Sequence, residues 1–324
     1  MITAAIIGVG EWGQRLVRSV QGKSERIRFV AAVARTPDKA RAFAGEQGLA
    51  LHGALDGALE DPIVNAVVLA TPHSQHAEQV IAAAAAKKAV FVEKPFTLTR
   101  VSAVAAAEAC HRAGVTLAVG YNRRFLPAMI ALKELVAGGK LGKPLQIEGT
   151  FSSNSGYRHG PAAWRASRTE SPAGGMTSLG VHLLDAMIDL CGNVKAVETW
   201  SRHLALPIDI DDATAVLLQF ERGPLGYLGT IFASAPLWRL QVFGSEGWAE
   251  MRGPETLVIA SRDGKTEERK FPPLDIERAE LEAFADAVAG GTAYPVSTAD
   301  AIHGAAILEA IIGSADAGRV VPVP

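Results

Sequence analysis

Hydrophobic runs of strand length alternate with segments of helical periodicity through the first third of the chain. The runs are nearly continuous in Val, Ile and Ala. The predicted strands are Ala4–Ile7, Phe29–Val33, Val64–Ala70, Val90–Val92 and Thr116–Val119, and the predicted helices are Trp12–Val20, Pro37–Gln47, a segment that ends at Ala86, and Val101–Ala113. This alternation predicts a parallel sheet covered by helices on both faces, an α/β doubly wound Rossmann domain over residues 1–122.

The pattern changes after Asn122, where strands with polar turns between them become the rule. The predicted strands are Leu145–Ser152, Ala196–His203, Thr214–Phe220, Gly226–Phe232, Leu237–Phe243 and Thr256–Ala260, and the predicted helices are Ala128–Ala137, Met176–Leu190, Ile276–Ala289 and Thr298–Ala315. Such a pattern is typical of antiparallel meanders. We therefore expect a second, α+β domain over residues 123–324.

Composition narrows the class of protein. The 324 residues carry a net charge of −2 and are 48% hydrophobic, which gives no electrostatic reason to expect binding to nucleic acid or to an anionic membrane. Two cysteines, Cys110 and Cys191, lie in apolar stretches and do not suggest a disulfide framework or a metal cluster. The chain has neither a signal-peptide pattern nor an apolar run of membrane-spanning length, so a cytoplasmic location is expected.

A glycine-rich turn follows the first predicted strand and opens the first predicted helix. Its glycines are Gly8, Gly10 and Gly13, with Glu11 and Trp12 between them. In this context the first glycine permits the tight turn, the second lets a pyrophosphate approach the backbone, and the third lets helix and strand pack closely. The turn predicts a dinucleotide site. The alternative is a plain strand–turn–helix connection.

The end of the second strand bears on the choice of dinucleotide. NAD sites usually place an acidic residue there, but this chain has Arg35 followed by Thr36. A guanidinium can bind a 2′-phosphate with two parallel hydrogen bonds, so NADP(H) is favoured. NAD(H) stays possible, with Arg35 stacked on the adenine.

Glu93, Lys94 and Pro95 follow the strand at Val90–Val92. Ligands of an open α/β sheet bind at such strand ends. A lysine that is partly desolvated there, beside a cationic nicotinamide, has its pKa lowered and can transfer a proton to or from an alcohol oxygen. Considered alone, Lys94 could equally be a solvated loop residue.

Several motifs, taken together and in order, resemble the Gfo/Idh/MocA family of glucose–fructose oxidoreductase, inositol dehydrogenase and rhizopine-catabolism proteins. They are Gly8-Val9-Gly10-Glu11-Trp12-Gly13, Ala70-Thr71-Pro72 with His76, Glu93-Lys94-Pro95, Gly120-Tyr121-Asn122-Arg123-Arg124-Phe125, and Gly174-Gly175 with Gly180-Val181-His182. The resemblance implies a Rossmann domain followed by a domain with a large, mostly antiparallel open sheet that often mediates oligomerisation. It also implies hydride transfer between NAD(P) and a carbohydrate, cyclitol or related alcohol.

The resemblance also implies roles for single residues. Lys94 matches the lysine that handles the proton and binds a substrate hydroxyl, and His182 matches a histidine that acts as acid or base or orients the substrate. The positions matched to the surroundings of the cofactor are Thr71, Pro72, His76, Glu93 and Asn122. Trp164 and Arg165 resemble a pair that reaches toward cofactor and substrate, and the implied cofactor contacts include Lys94 and Arg165.

One position departs from the family pattern. Ser178 stands four residues before His182, where the family's dehydrogenases commonly have Asp. A serine on the same helix face can hydrogen-bond a substrate but cannot stabilise an imidazolium by charge. Asp185, three residues after His182, is the nearest candidate to orient the histidine, or is a structural acid within the helix.

Other sites are less well supported. No tyrosine is followed four residues later by lysine, which excludes the short-chain dehydrogenase pairing, and His73 with His76 lacks a third ligand for a metal ion. In the loop from Ser152 to Arg168, the expected substrate-selective contacts are Tyr157, Arg158 and Trp164, because loops commonly carry specificity.

The leading hypothesis is an NADP(H)-preferring oxidoreductase that interconverts alcohol and carbonyl groups on a sugar, cyclitol, dihydrodiol or similar small molecule. Lys94 would transfer the proton, and His182 would assist. The alternatives are a dinucleotide-binding sensor without redox turnover, and a lyase or hydrolase that uses transient oxidation. The strand-rich second half predicts a homodimer or homotetramer formed through its sheet.

Overall fold

Six parallel strands form the first sheet, and most of their residues are buried. The strands are β1 (Ile2–Ile7), β2 (Ile27–Val33), β3 (Ala50–His52), β4 (Ala66–Leu69), β5 (Ala89–Glu93) and β6 (Leu117–Gly120). Their spatial order is β3-β2-β1-β4-β5-β6, and every neighbouring pair is parallel. This order belongs to doubly wound sheets, and it reverses direction between β1 and β4.

Nine strands form the second sheet. They are β7 (Pro144–Ser152), β8 (Val194–Arg202), β9 (Ala213–Phe220), β10 (Leu225–Ile231), β11 (Leu237–Gly244), β12 (Gly247–Arg252), β13 (Thr256–Ser261), β14 (Thr266–Lys270) and β15 (Val321–Pro322). The order is β14-β13-β12-β11-β7-β10-β9-β8-β15. Only the β7–β10 pair is parallel; the other neighbours are antiparallel. The two sheets confirm the predicted fold class.

Nine α-helices accompany the sheets. They are α1 (Glu11–Val20), α2 (Pro37–Gln47), α3 (Leu55–Leu59), α4 (His76–Ala85), α5 (Arg100–Ala113), α6 (Pro127–Ala137), α7 (Val181–Cys191), α8 (Ile276–Val288) and α9 (Thr298–Ala317). Local chemistry explains where several of them begin. The Thr99 side chain accepts a hydrogen bond from the Ser102 backbone N–H before α5, and Asp275 caps α8 through the Arg278 N–H.

The computed structural model describes residues 1–324, which divide into two units. The first unit is Met1–Asn122 with Asp275–Ile302, and the second is Arg123–Leu274 with His303–Pro324. This differs from the expectation that residues 123–324 form one domain. The reason is tertiary packing: α8 contacts α1, β2 and β5, and the ring centroids of Phe91 and Phe284 lie 5.7 Å apart.

The two faces of the second sheet differ. Helix α7 covers one face, where a Cβ on Gly149 would lie 2.8 Å from Met187. The other face is open and carries exposed large side chains, among them Trp200, Leu217 and Tyr227. Tyr227 and Leu217 are direct partners in the β9–β10 pair. No helix of the structure is both long enough and apolar enough to cross a membrane.

Candidate active site

The glycine turn connects β1 to α1. Gly8 has a φ of +97°, and a Cβ there would lie 2.6 Å from the Ala70 carbonyl oxygen. A Cβ on Gly13 would overlap the Gly8 carbonyl oxygen, whereas a Cβ on Gly10 would face open space. Gly8 therefore permits close packing against the end of β4, and Gly13 permits close packing of α1 against the end of β1. Gly10 leaves the backbone open to a ligand.

Helix α1 begins at this turn with free backbone donors. No side chain caps it, and its first intrahelical hydrogen bond runs from the Gln14 N–H to the Gly10 carbonyl oxygen at 2.9 Å. The N–H groups of Glu11, Trp12 and Gly13 therefore have no acceptor within the helix. These donors, the positive end of the helix dipole and the open space at Gly10 fit the pyrophosphate of a dinucleotide.

The chain that leaves β2 presents a cation and a hydroxyl. Arg35 and Thr36 are both exposed, and no acidic residue stands between Val33 and Pro37. The nearest carboxylate in sequence, that of Asp38, is 2.8 Å from the Arg41 guanidinium. The strand end therefore has the donors that a 2′-phosphate requires and lacks the acid that binds ribose hydroxyls in NAD sites.

His76 joins the turns that follow β4 and β5. Its ring is fully buried, with Nδ1 2.9 Å from the Pro95 carbonyl oxygen and Nε2 3.1 Å from the Thr71 carbonyl oxygen. The Thr71 hydroxyl donates to the Gln79 side chain at 2.6 Å, and Pro72 is partly exposed. These contacts make His76 a positioning residue for both turns. A direct cofactor contact by His76 stays a prediction.

Glu93 ends β5, and the partly exposed Lys94 follows it, with a cis peptide bond to Pro95. Burial raises the pKa of Glu93 to about 7, while the Lys94 charge and the Trp12 indole oppose the rise. Glu93 Oε1 makes no hydrogen bond, and the buried Trp12 Nε1 makes none of good geometry. The strand end thus combines an amine with a carboxyl that changes charge near neutral pH.

Sequence reasoning missed two acids from α8 that belong to this region. Glu277 accepts from Asn122 Nδ2 at 3.3 Å and from Arg15 at 2.9 Å, and Glu280 is fully buried. With Leu281 and Phe284, these glutamates occupy the i, i+3, i+4 and i+7 positions of the buried stripe of α8. Glutamates are unusual on the buried face of a helix, so their positions in this stripe are the sequence feature by which both could have been found.

In the second unit, Ser178 and His182 lie at the start of α7. Met176–Gly180 form a π-helical turn that leads directly into the helix. Such π-helical turns are rare in proteins overall, and those that occur are often found at functional sites. His182 is 8% exposed, and its ring centroid lies 6.3 Å from that of Phe151. The structure thus places the serine in a widened turn, one turn before the histidine.

Asp185, considered above as a partner for His182, forms a buried ion pair with Arg124. Arg124 Nε donates to Oδ2 at 2.7 Å, and Nη2 donates to Oδ1 at 2.8 Å. The same guanidinium lies 2.6 Å from Asp189. Both oxygens of Asp185 are therefore used to join α7 to the chain before α6, which is a structural role.

Tyr157, Trp164 and Arg165 lie on the irregular segment that follows β7. Tyr157 is 53% exposed, and the Arg165 guanidinium lies 4.0 Å from the Trp164 ring centroid. The Arg165 carbonyl oxygen accepts from the Ser171 hydroxyl at 3.0 Å. The cation–π contact holds the two side chains together, and the hydrogen bond from Ser171 anchors the backbone of the pair.

Two family descriptions match this chain over most of its length. Residues 2–121 match "Oxidoreductase family, NAD-binding Rossmann fold", and residues 129–250 match "GFO/IDH/MocA C-terminal domain". The chain belongs to the Gfo/Idh/MocA family. It is thus an oxidoreductase of the dehydrogenase type with an NAD-binding domain, and the resemblance stated from its motifs is confirmed.

Similar proteins agree with this assignment. The chain is 29% identical to inositol 2-dehydrogenase 2 of Saccharopolyspora erythraea, with 98% of this chain and 94% of the relative covered. It is 30% identical to the rhizopine catabolism protein MocA of Rhizobium meliloti, with 94% and 92% covered. A crystal structure from Desulfitobacterium hafniense, provisionally described as an NADPH-dependent oxidoreductase, superposes with a TM-score of 0.92 at 25% identity, covering 99% of this chain and 97% of that one.

Proposed function

We propose that this enzyme interconverts an alcohol and a carbonyl group on a cyclitol, sugar, dihydrodiol or similar small polyhydroxylated molecule. The observation that carries the proposal is Lys94 at the carboxyl end of β5, in the same doubly wound sheet as the glycine turn. Ligands of such sheets bind at the carboxyl ends of the strands, near the point where strand order reverses. The similarity to an inositol 2-dehydrogenase supports the substrate class.

Lys94 is the proposed acid and base of the reaction. A nicotinamide cofactor, when bound, would accept or donate the hydride. In the oxidation direction the neutral Lys94 amine accepts the proton of the substrate hydroxyl, and in reduction the ammonium returns it. The neighbouring Glu93 carboxyl, with a pKa of about 7, balances the Lys94 charge without being permanently ionised.

For His182 we propose a role as an acid or base, or as a hydrogen-bonding group that orients the substrate. Its place on α7 after the π-helical turn supports this role. The Ser178 hydroxyl contributes hydrogen bonds but no charge. Tyr157, Trp164 and Arg165 are the proposed contacts that select the substrate and reach the cofactor.

For the cofactor we propose NADP(H) in preference to NAD(H), with Arg35 and Thr36 binding the 2′-phosphate. Arg35→Ala is expected to weaken NADPH binding by about tenfold or more, the range of a lost charged hydrogen bond, while NADH binding changes little. Arg28→Ala, at an exposed arginine of the strand that precedes Arg35, is the matched control. Equal affinities of the unaltered protein for NADPH and NADH would refute the preference.

The reaction is tested by mixing the purified protein and either nicotinamide cofactor with inositols, aldoses, anhydrosugars and dihydrodiols, and following nicotinamide absorbance. We expect reduction of the cofactor with at least one of these classes. Cofactor binding without any absorbance change across the panel would contradict the proposed reaction.

A second candidate function, a dinucleotide-binding sensor, is favoured by one observation. Ser178 stands where the family's dehydrogenases commonly have Asp, and the hydroxyl cannot stabilise an imidazolium by charge. A sensor binds cofactor and substrate analogues but leaves both unchanged. Ser178→Asp separates the two functions, since it should raise the turnover number of an enzyme and create no turnover in a sensor.

We further propose that the open face of the second sheet joins copies of this chain into a dimer or tetramer. Trp200, Leu217 and Tyr227 expose apolar surface on this face, and Arg239 and Glu148, also on it, form an ion pair at 3.1 Å. Large apolar patches with polar surroundings mark protein interfaces. Light scattering should show a smaller assembly for Trp200→Glu and no change for Val101→Glu, which alters an exposed residue of the first unit.

A further inference from the structure

Three glutamates from distant parts of the chain meet in the interior of the first unit. Glu93 ends β5, and Glu277 and Glu280 come from α8. Arg15 and Asn122 engage Glu277. Glu280 is different: its side chain is 0% exposed, and neither of its carboxyl oxygens has a hydrogen-bond partner.

The surroundings of Glu280 favour its neutral form. Burial raises the pKa of Glu280 well above its ordinary value, and the Glu93 and Glu277 carboxyls raise it further, while the Lys94 charge opposes them. A carboxylate buried without donors is far more costly than a neutral carboxylic acid. Burial without donors therefore favours the neutral carboxylic acid over the carboxylate.

No other cation compensates Glu280. Helix α8 packs against α1, β2 and β5. Of the two α1 cations, Arg15 is paired with Glu277 and Arg18 lies over the Phe43 ring. Arg28, the one charged residue of β2, is exposed. From β5 and the turn after it come only Glu93 and Lys94. The Lys94 charge is the one cationic charge that lowers the pKa of both Glu93 and Glu280.

A purely structural role does not explain an acid at this position. A buried polar group without a partner costs about 1–3 kcal/mol, which an apolar side chain of similar volume would avoid. Buried acids with displaced pKa values beside a reactive amine are typical of functional sites. Glu280 lies on a helix that contacts β5, and the Lys94 charge acts on it, which points to a role at the proposed base.

We propose that Glu280 is a positioning residue of the Lys94 site, where it stays protonated beside Glu93 and limits the negative charge that Lys94 faces. The inference rests on the proposed role of Lys94. A second carboxylate would bind the Lys94 proton more tightly and reduce the fraction of neutral amine available to accept a substrate proton. The buried acid thus maintains the base without touching the substrate.

The first test is infrared spectroscopy of the purified protein without substrate, at a pH of about 8, where Glu93 is mostly ionised. The carbonyl stretch of a protonated carboxyl should be present in the unaltered protein, lost in Glu280→Gln and retained in Glu282→Gln. Glu282 lies on the same helix and is partly exposed, so it controls for the substitution itself. Absence of the band from the unaltered protein would overturn the proposal even if Glu280→Gln did not fold.

The second test is thermal unfolding as a function of pH. The folded chain holds the Glu280 proton above the ordinary glutamate value of 4.5, so this group makes stability fall as pH rises through that value and beyond. From about pH 5 to about pH 8, the melting temperature of Glu280→Gln should therefore fall less steeply than that of the unaltered protein. Glu282→Gln should follow the unaltered protein. Parallel curves for Glu280→Gln and the unaltered protein would contradict the proposal.

Turnover distinguishes this inference from the proposed function. If Lys94 is the base, kcat should change less steeply with pH at alkaline pH in Glu280→Gln than in the unaltered protein. The reason is that no second carboxylate forms beside the amine of the variant. Absence of turnover in both proteins would count against the proposed reaction only. The infrared band and the unfolding curves would still decide the state of Glu280.

Discussion

Buried carboxyl groups differ between the two units in how fully they are hydrogen-bonded. In the second unit, both oxygens of Asp185 accept from Arg124. Asp212 accepts from the backbone N–H groups of Leu204, Ala205 and Leu206. In the first unit, Glu93 and Glu280 are equally buried, yet Glu93 Oε1 and both oxygens of Glu280 have no hydrogen-bond partner.

The pKa values follow this difference in donors. Burial acts to raise the pKa of Asp212, but its three backbone donors and the His203 charge lower it overall. Burial raises the pKa of Glu93 to about 7, because its partners do not compensate for lost hydration. The comparison teaches that burial alone does not define a functional acid. The number of hydrogen-bond donors separates Asp185 and Asp212 of the second unit from Glu93 and Glu280 of the first.

The variant with the largest expected effect tests whether the first unit supplies the acid and base of the reaction. Lys94→Arg keeps the positive charge but cannot release a proton near neutral pH, so kcat should fall by about 10² to 10⁴, the usual value of a positioned acid or base. Cofactor affinity, measured by fluorescence titration, should stay within a few-fold. Lys39→Arg, at an exposed position of α2, is the control. Unchanged turnover in Lys94→Arg would remove this residue from the chemistry.

The next effect tests whether Asp185 is structural. Asp185→Asn leaves the buried Arg124 without its bidentate partner, and we expect the free energy of unfolding to fall by about 3–5 kcal/mol. Chemical denaturation measures this change. The exposed Arg168–Asp209 pair supplies the contrast, since Asp209→Asn should cost about 1 kcal/mol or less. Similar costs for both variants would mean that the buried pair is compensated elsewhere.

A smaller effect separates the packing glycine from the ligand-facing glycine. Gly13→Ala places a methyl group on the Gly8 carbonyl oxygen, so it should lower stability by about 1–3 kcal/mol and also weaken cofactor binding. Gly10→Ala meets open space and should weaken cofactor binding with little loss of stability. Melting temperature and cofactor titration together distinguish the two variants. A stability loss in Gly10→Ala equal to that in Gly13→Ala would contradict the assignment.

The last effect, no larger than that of Gly13→Ala, concerns Asp212 and acid pH. Because its pKa is lowered in the folded chain, Asp212 contributes stability above the ordinary value of 3.8 that is lost as pH falls through and below it. Asp212→Asn should cost about 1–3 kcal/mol near neutral pH and less in acid. Urea unfolding at several pH values measures both. A constant difference between the two proteins at every pH would show that titration of Asp212 is not the cause.

Much of the fold could be predicted because it depends on local patterns. The continuous apolar runs of β1, β4 and β5 indicate strands buried on both faces, and the strand–glycine–helix order identifies the dinucleotide turn. The predicted strands do not include β3, β12, β14 or β15. All five residues of β14 are exposed, so no buried face imposes an alternating pattern on that edge strand.

The candidate site could be predicted only in part. Lys94, Glu93 and the glycines belong to short motifs whose place at strand ends follows from the chain order. Glu280 could not be assigned to them, because almost two hundred residues separate it from Glu93 along the chain. The π-helical turn at Ser178 was also missed, since the segment reads as one continuous helix.

The sequence by itself determined the class of both sheets, the dinucleotide turn and the family, because each depends on residues close together in the chain. Only the tertiary structure decided that α8 returns to the first sheet, through contacts such as Phe91 with Phe284. It also decided which buried carboxyl groups accept hydrogen bonds and which do not. The physical reason is that desolvation and hydrogen bonding depend on every neighbour in space, and such neighbours come from any part of the chain.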